Sequence, residues 1–519
     1  MSHRYYNDGY YQQVPDLIQQ FIYSFYRHIR DRNTKEIESM YEVSFVKFSE
    51  NFYKGSSWPP FESVAEFAER DHVFGLLYKE LYYRHLFAQS IPTLQDRIDS
   101  FKNYSELFDL LLNNNVNMIL PNKWIWDLVD EYCYQFQNWG QYRCKPANMN
   151  DEDLERMKSC KDIWAVETVA TTLQRLVDRS GIVKELEEDG GVKLYSYNGL
   201  YPNQSNVLRL VGYFSLLGLL RVRCLVGDYQ AALKAIYPIN LFDQKNLFAT
   251  RIIGAAICLY FYSGFAYLMQ RRYLDAVRCF NYISLHIYRV KNHYMHSNQL
   301  EVLRMNERHY ALLALAVALC PASAKFLDET VQLQLNDRQE DHIATMCRGG
   351  LSAEKVLETL FSEAGPKFVT LQAPNYTRPS VNSNDQAFRG QLAAFMEEAR
   401  IALALPTLKQ FLRLYSSVTL TKLANLLEME PAVLRAALLK RIERNVQIRH
   451  NGSNLDMTYG EEVKATDLDF TLEKNAETGE EMVIAQVAPA NVSFVPLLKH
   501  HINRFQNILK DLDNSTIAA

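Results

Sequence analysis

Two stretches of the chain, 44 residues apart, follow one grammar: Gly227-Asp228-Tyr229-x-x-Ala232-x-x-x-Ile236 and Arg271-Arg272-Tyr273-x-x-Ala276-x-x-x-Phe280. Each follows a long apolar run, Val207–Val226 in the first case and Ile252–Met269 in the second. An Ala three residues after the Tyr puts a small side chain where a neighbouring helix can approach. The large apolar residue four positions on then lies over the same face. Stacked helical hairpins of tetratricopeptide type pack in this way, and a fixed period is the signature of such arrays, although 44 residues exceeds the usual 34. The expectation is a mainly α protein with degenerate helical repeats, an unrelated helical bundle being the alternative. Hairpins continue through His309–Leu319 and Asp341–Glu363.

Composition agrees with long helices. Gly (20) and Pro (16) make up roughly 7% of the 519 residues, against about 12% in an average protein. An apolar fraction of 48% excludes collagen-like and largely disordered chains. The run Ile252–Met269 carries no charge over 18 residues, the lower limit for a membrane span. Its Tyr residues are spread along it rather than gathered at two interfaces, so a buried repeat helix is expected instead. The eight Cys never form Cys-x-x-Cys and mostly sit in apolar runs, which fits reduced core thiols of a cytoplasmic protein. The opening MSHRYYNDGYYQQVPD has no apolar core of a secretory signal. A net charge of −4 provides no global field toward nucleic acid or an anionic membrane, so any such contact must be local.

Five segments are expected: an aromatic-rich N-terminal helical domain (1–180), a linker rich in turn residues (181–204), helical repeats (205–415), a winged helix (416–490), and a terminal helix with its tail (491–519). The winged-helix reading rests on order. A short amphipathic helix at 419–427, a turn, and a second helix opened by Pro431 precede three strand-like runs at Val446–Ile448, Leu468–Leu472 and Met482–Ala485. In the last segment Val495, Leu498, Ile502, Phe505, Leu509 and Leu512 step by 3, 4, 3, 4 and 3, a heptad seam that calls for a partner helix.

Signatures of common chemistry are missing. There is no Walker-type phosphate loop, no Gly-x-Gly-x-x-Gly, no His-Glu-x-x-His and no Gly-x-Ser-x-Gly, so no catalytic residue, cofactor or metal ligand is expected. His293, His296 and His286 could share a helical face, but no carboxylate or Cys completes a site. Glu187, Glu188 and Asp189 read as solvated charge in a loop. One basic group stands out: Arg435, Lys440, Arg441 and Arg444 on the Pro431 helix, with Arg449 and His450 just beyond it. Winged-helix proteins contact nucleic acid from this helix, so RNA binding is the alternative to a protein interface there.

Helical repeats running into a winged helix resemble the layout of PCI proteins, the shared subunits of the proteasome lid, the signalosome and translation initiation factor three. The resemblance is carried by Leu77–Phe87, Pro121–Glu131 with Tyr134-Gln-Phe136, Gln141–Lys145, Gly212–Leu216, Gly227–Tyr229, and Gly264–Met269 with Arg271–Ala276. These point to the initiation-factor members, with a subunit of another lid-like complex as the alternative. The chain departs from them in its Tyr-rich start before Val14 and in a longer wing around 451–479. The resemblance implies a non-catalytic scaffold that supports preinitiation assembly on the small ribosomal subunit and mRNA recruitment. It also implies the K and E subunits as immediate neighbours and a bundle of terminal helices.

Overall fold

The computed structural model describes residues 14–114, 117–146, 149–189, 205–242, 247–290, 299–374, 383–403, 408–451, 456–464, 469–474 and 479–486, with Phe505 and Leu509. These residues are mainly helical and form two compact units. One is drawn from 1–404 together with 446–465, the other from 405–445 together with 466–519.

The larger unit opens with α1 (Asp16–Asp31), whose Ile18, Phe21, Ile22 and Phe25 recur at i, i+3, i+4 and i+7 and are all buried. After α2 (Thr34–Ser39), α3 (Phe45–Phe52) and the short α4 (Phe61–Val64) come three long helices: α5 (His72–Gln89), α6 (Leu94–Asn113) and α7 (Asn122–Arg143). Their starts are written in the sequence. Asp71 accepts the Phe74 N–H at 2.7 Å at the head of α5, and Thr93 with Asp96 forms a reciprocal capping box on α6. On α7 the aromatic run is interior: Trp124 is fully buried and stacks on Phe25 (5.3 Å between centroids) and Tyr41 (5.0 Å). Next follow α8 (Asp151–Ser159), α9 (Val166–Ser180) and α10 (Ile182–Asp189). The last lies where turn residues suggested a loop, because Ile182 and Leu186 meet the core at i, i+4.

In the repeat region α11 (Val207–Val226) turns into α12 (Tyr229–Ala235), and α13 (Ile253–Met269) turns into α14 (Tyr273–Val290). Both turns pass through a left-handed residue at the matching position, Gly227 (φ 94°) and Arg271 (φ 62°). Ala232 and Ala276 are fully buried, as are Ile236 and Phe280 four residues later. Helix α13 is the chargeless run, and α11, α14 and the long α15 (Gln299–Leu319) cover it from several sides. Among the described residues no helix is long and apolar enough to cross a membrane. Then α16 (Glu329–Arg348) and α17 (Gly350–Ala364) precede α18 (Ser383–Leu403). Six of the Cys are buried in this unit, Cys160 is partly covered and Cys347 is exposed.

The smaller unit contains α19 (Leu408–Leu414), β1 (Ser417–Thr419), α20 (Leu420–Leu426) and α21 (Pro431–Arg444), followed later in the chain by two further strands. Between them in sequence, β2 (Val446–Arg449) pairs antiparallel with β3 (Glu461–Lys464), and this hairpin belongs to the larger unit. Strands β4 (Asp469–Lys474) and β5 (Glu481–Gln486) pair with each other, and β5 also pairs with β1, giving the order β1–β5–β4. Val418, Phe470 and Val483 face a core completed by Leu408, Leu412, Leu423, Leu434 and Leu438.

The third strand is therefore Ser417–Thr419, not Val446–Ile448 as the run of strand-like residues suggests. In β2 the polar Gln447 points inward while Val446 and Ile448 are exposed, the reverse of an amphipathic strand.

Candidate interaction surfaces

Helix α21 is held by Pro431 at its first position and by Leu434 and Leu438 on its inner face. Its four cations do not form one patch. At about 100° per residue, Lys440 and Arg444 lie roughly 40° apart on one flank, while Arg435 is about 140° from Lys440. Lys440 and Arg444 are exposed, and Arg435 donates from Nε to Glu481 Oε2 on β5 at 2.8 Å. Arg441 is half-buried, and burial pulls its guanidinium below the ordinary value. Beside these cations the helix also exposes Val433 (52%) and Leu439 (38%), and α20 exposes Leu426.

Arg449 and His450, next in sequence, belong elsewhere. His450 is buried in the larger unit, where its ring stacks on Phe242 with centroids 5.0 Å apart. Its N–H donates to Asp275 at 2.9 Å, and its carbonyl accepts from Arg278 at 3.0 Å. Arg449 lies over the Phe326 ring. The hairpin is locked onto the start of α14: Arg272 donates to the carbonyls of Met457 (2.6 Å) and Thr458 (3.1 Å) and pairs with Asp275 at 2.7 Å, while Gln447 Oε1 accepts the Leu274 N–H. Arg272 is 3% exposed and Asp275 is fully buried, so each charge is neutralised where water cannot do it. Nothing in Arg271-Arg272-Tyr273-Leu-Asp275 announces this use. Its only sequence signal is a charged pair beside a repeat turn.

Of the heptad seam, Val495, Leu498, Ile502 and Leu512 lie outside the described residues. Phe505 and Leu509 are helical and exposed, at 64% and 59%.

Clusters that could do chemistry are bonded to one another. Glu80 is fully buried and accepts from Arg84, from Tyr104 and, at 3.2 Å, from the Trp124 indole. Tyr41 donates to Asp127 and accepts from Arg84. Burial pushes Asp127 up to about 6 and Glu131 up to about 7, with Arg84 opposing both shifts. His309 is pinned neutral by burial, down to about 3, between Phe261 and Phe280. His286 is held below its ordinary value by burial, and His293 and His296 lie outside the described residues. Among the described residues no group of three His, Cys, Asp or Glu could hold a metal.

The described residues thus define a mainly helical protein, and a family model described as RNA polymerase I-associated factor PAF67 matches residues 96–503. Three relatives are named eukaryotic translation initiation factor 3 subunit L. The chain is 36% identical to that of Nematostella vectensis over 474 residues (89% of this chain, 87% of the relative). It is 36% identical to that of Homo sapiens over 501 residues (91% and 87%), and to that of Danio rerio over 494 residues (90% and 84%). The chain belongs to the family of eukaryotic translation initiation factor 3 subunit L, and these relatives are named as initiation-factor subunits rather than as enzymes.

Proposed function

We propose that the chain is a non-catalytic scaffold subunit of translation initiation factor 3 in the cytoplasm. In this reading it binds other PCI subunits, with the K and E subunits as neighbours, and supports small-ribosomal-subunit preinitiation assembly and mRNA recruitment. The observation that carries the reading is identity to subunit L over about nine-tenths of the chain. The smaller unit supports it. A helix, strand, helix, helix, strand, strand order with an antiparallel β1–β5–β4 sheet supports the winged-helix reading of this unit. In domain terms the proposal is an N-terminal helical domain over 1–180, a linker over 181–204, repeats over 205–415, a winged helix over 416–490 interrupted by the 446–465 hairpin of the larger unit, and a bundle helix with its tail over 491–519.

The heptad seam is the proposed attachment to partner helices, supported by the exposure of Phe505 and Leu509. Replacing both with Asp in the full-length chain should abolish co-purification with the K and E subunits while the chain stays folded. Undiminished co-purification would remove the seam from the account.

RNA contact is the second reading, favoured by Lys440 and Arg444 standing exposed on one flank of α21. Two cations give few phosphate contacts, so the salt dependence of binding should be shallow. RNA binding with that shallow salt dependence, lost in Lys440→Glu with Arg444→Glu, would establish this reading instead.

A further inference from the structure

Among the described residues, five arginines of the larger unit are buried to about nine-tenths or more: Arg97, Arg143, Arg209, Arg221 and Arg272. Three meet carboxylates, Arg209 with Glu185, Arg221 with Asp130 and Arg272 with Asp275. Arg143 donates to the main-chain carbonyl of Thr370. Arg97 has neither kind of partner among the described residues. Its one acceptor is the side-chain amide oxygen of Asn138, and its Nε is buried without any. A guanidinium carries five N–H donors and a charge that costs several kcal/mol to bury unpaired, so this arrangement is incomplete in itself.

The surroundings hold the guanidinium in place. The guanidinium is held over the Tyr142 ring at 4.4 Å and the Phe87 ring at 5.4 Å, which fixes its plane. Tyr134, Asn138 and Tyr142 recur at i, i+4 and i+8 along α7, so they form one ridge beside it. Tyr134 is 38% exposed, and neither phenol makes a hydrogen bond among the described residues. The nearby acids are engaged on their own helices. Asp96 accepts from the N–H and hydroxyl of Thr93 in the capping box, and Asp153 lies in the first turn of α8, where the helix dipole favours it.

We infer that Arg97, with Asn138 and the hydroxyls of Tyr134 and Tyr142, is a receptor for an oxyanion, namely the carboxylate of an Asp or Glu side chain on a partner protein. A carboxylate presents two oxygens that match a guanidinium's paired N–H donors in the bidentate manner. Beside Asp96, a guanidinium this deeply buried is poorly suited to a polyanion, which needs several accessible cations. An Arg set among aromatic rings is also the usual composition of a protein-interface hot spot. That the carboxylate comes from a protein rests on the scaffold reading above, whereas the oxyanion site stands without it.

The test uses the full-length chain, with acetate as the probe replacing chloride at constant ionic strength. Acetate at ten times its dissociation constant should raise the thermal unfolding midpoint by about 2 °C. Arg97→Met should lose that response while keeping or raising the midpoint in chloride, because an unpaired buried charge has gone. Asn138→Asp, which supplies an internal carboxylate, should raise the midpoint in chloride and abolish the acetate response. The assignment is overturned if Arg97→Met melts earlier in chloride, as a purely structural Arg would, or if the variants respond to acetate as the parent does. A response to inorganic phosphate or to a short single-stranded RNA but not to acetate would overturn the carboxylate in favour of a phosphate ligand.

Discussion

In the larger unit Arg272 and Asp275 meet in a site closed to water and are fully used, holding three successive carbonyls and a main-chain N–H of one hairpin. In the smaller unit Lys440 and Arg444 stand in solvent beside Val433 and Leu439. The charges of this larger-unit site thus complete its fold, while α21 of the smaller unit presents cations and apolar residues at its surface. A side chain already satisfied within its own unit has little to offer a partner, whereas an exposed apolar group near a cation does.

The sharpest way to break this contrast is Asp275→Ala. It strands Arg272 in the interior and should cost about 3–5 kcal/mol, with hydrogen exchange at His450 and across 456–464 accelerating accordingly. An unchanged exchange rate would mean that the hairpin is held by something other than the ion pair. Leu438→Ala acts on the smaller core and should cost about 2–4 kcal/mol, because the side chain is fully buried among few neighbours. Its effect should appear as faster exchange in 408–445 and 469–486.

The buried carboxylates provide a pH test of the framework. Glu131 and Asp127 titrate higher in the folded chain, at about 7 and about 6, than in an unfolded one. Their folded forms therefore hold protons through the mildly acidic range, and the stability they contribute is present below pH ~4 and lost as pH rises toward 7. Glu131→Gln should flatten that decline in urea midpoints measured between pH 4.5 and 7.5, and an unaltered slope would contradict the assignment. The smallest effect is expected from Lys440→Glu with Arg444→Glu, which should change stability by no more than about 0.5 kcal/mol while altering partner association. A large loss of stability would make those cations part of the fold.

Much of the smaller unit was legible in the sequence, because Pro431 and the spacing of Leu434 and Leu438 mark α21 by local rules. The repeat was legible for a similar reason: Ala232 and Ala276 must be small where helices touch. Strand β1 was not, since three residues carry no periodicity. The hairpin was not either. Its Gln447 is buried only because a main-chain N–H at Leu274, 173 residues earlier in the sequence, needs an acceptor. Nor could spacing place Arg97 over Tyr142 or separate Arg435 from Lys440 by engaging it with Glu481. Each depends on a contact between distant parts of the chain, where local pattern carries no information.

The central claim, that the chain works by joining partner subunits through its terminal helix, is tested most directly by truncation. A chain ending at Ser493 should keep the protected core of both units and fail to co-purify with the K and E subunits. Full incorporation of the truncated chain into the complex would contradict the account.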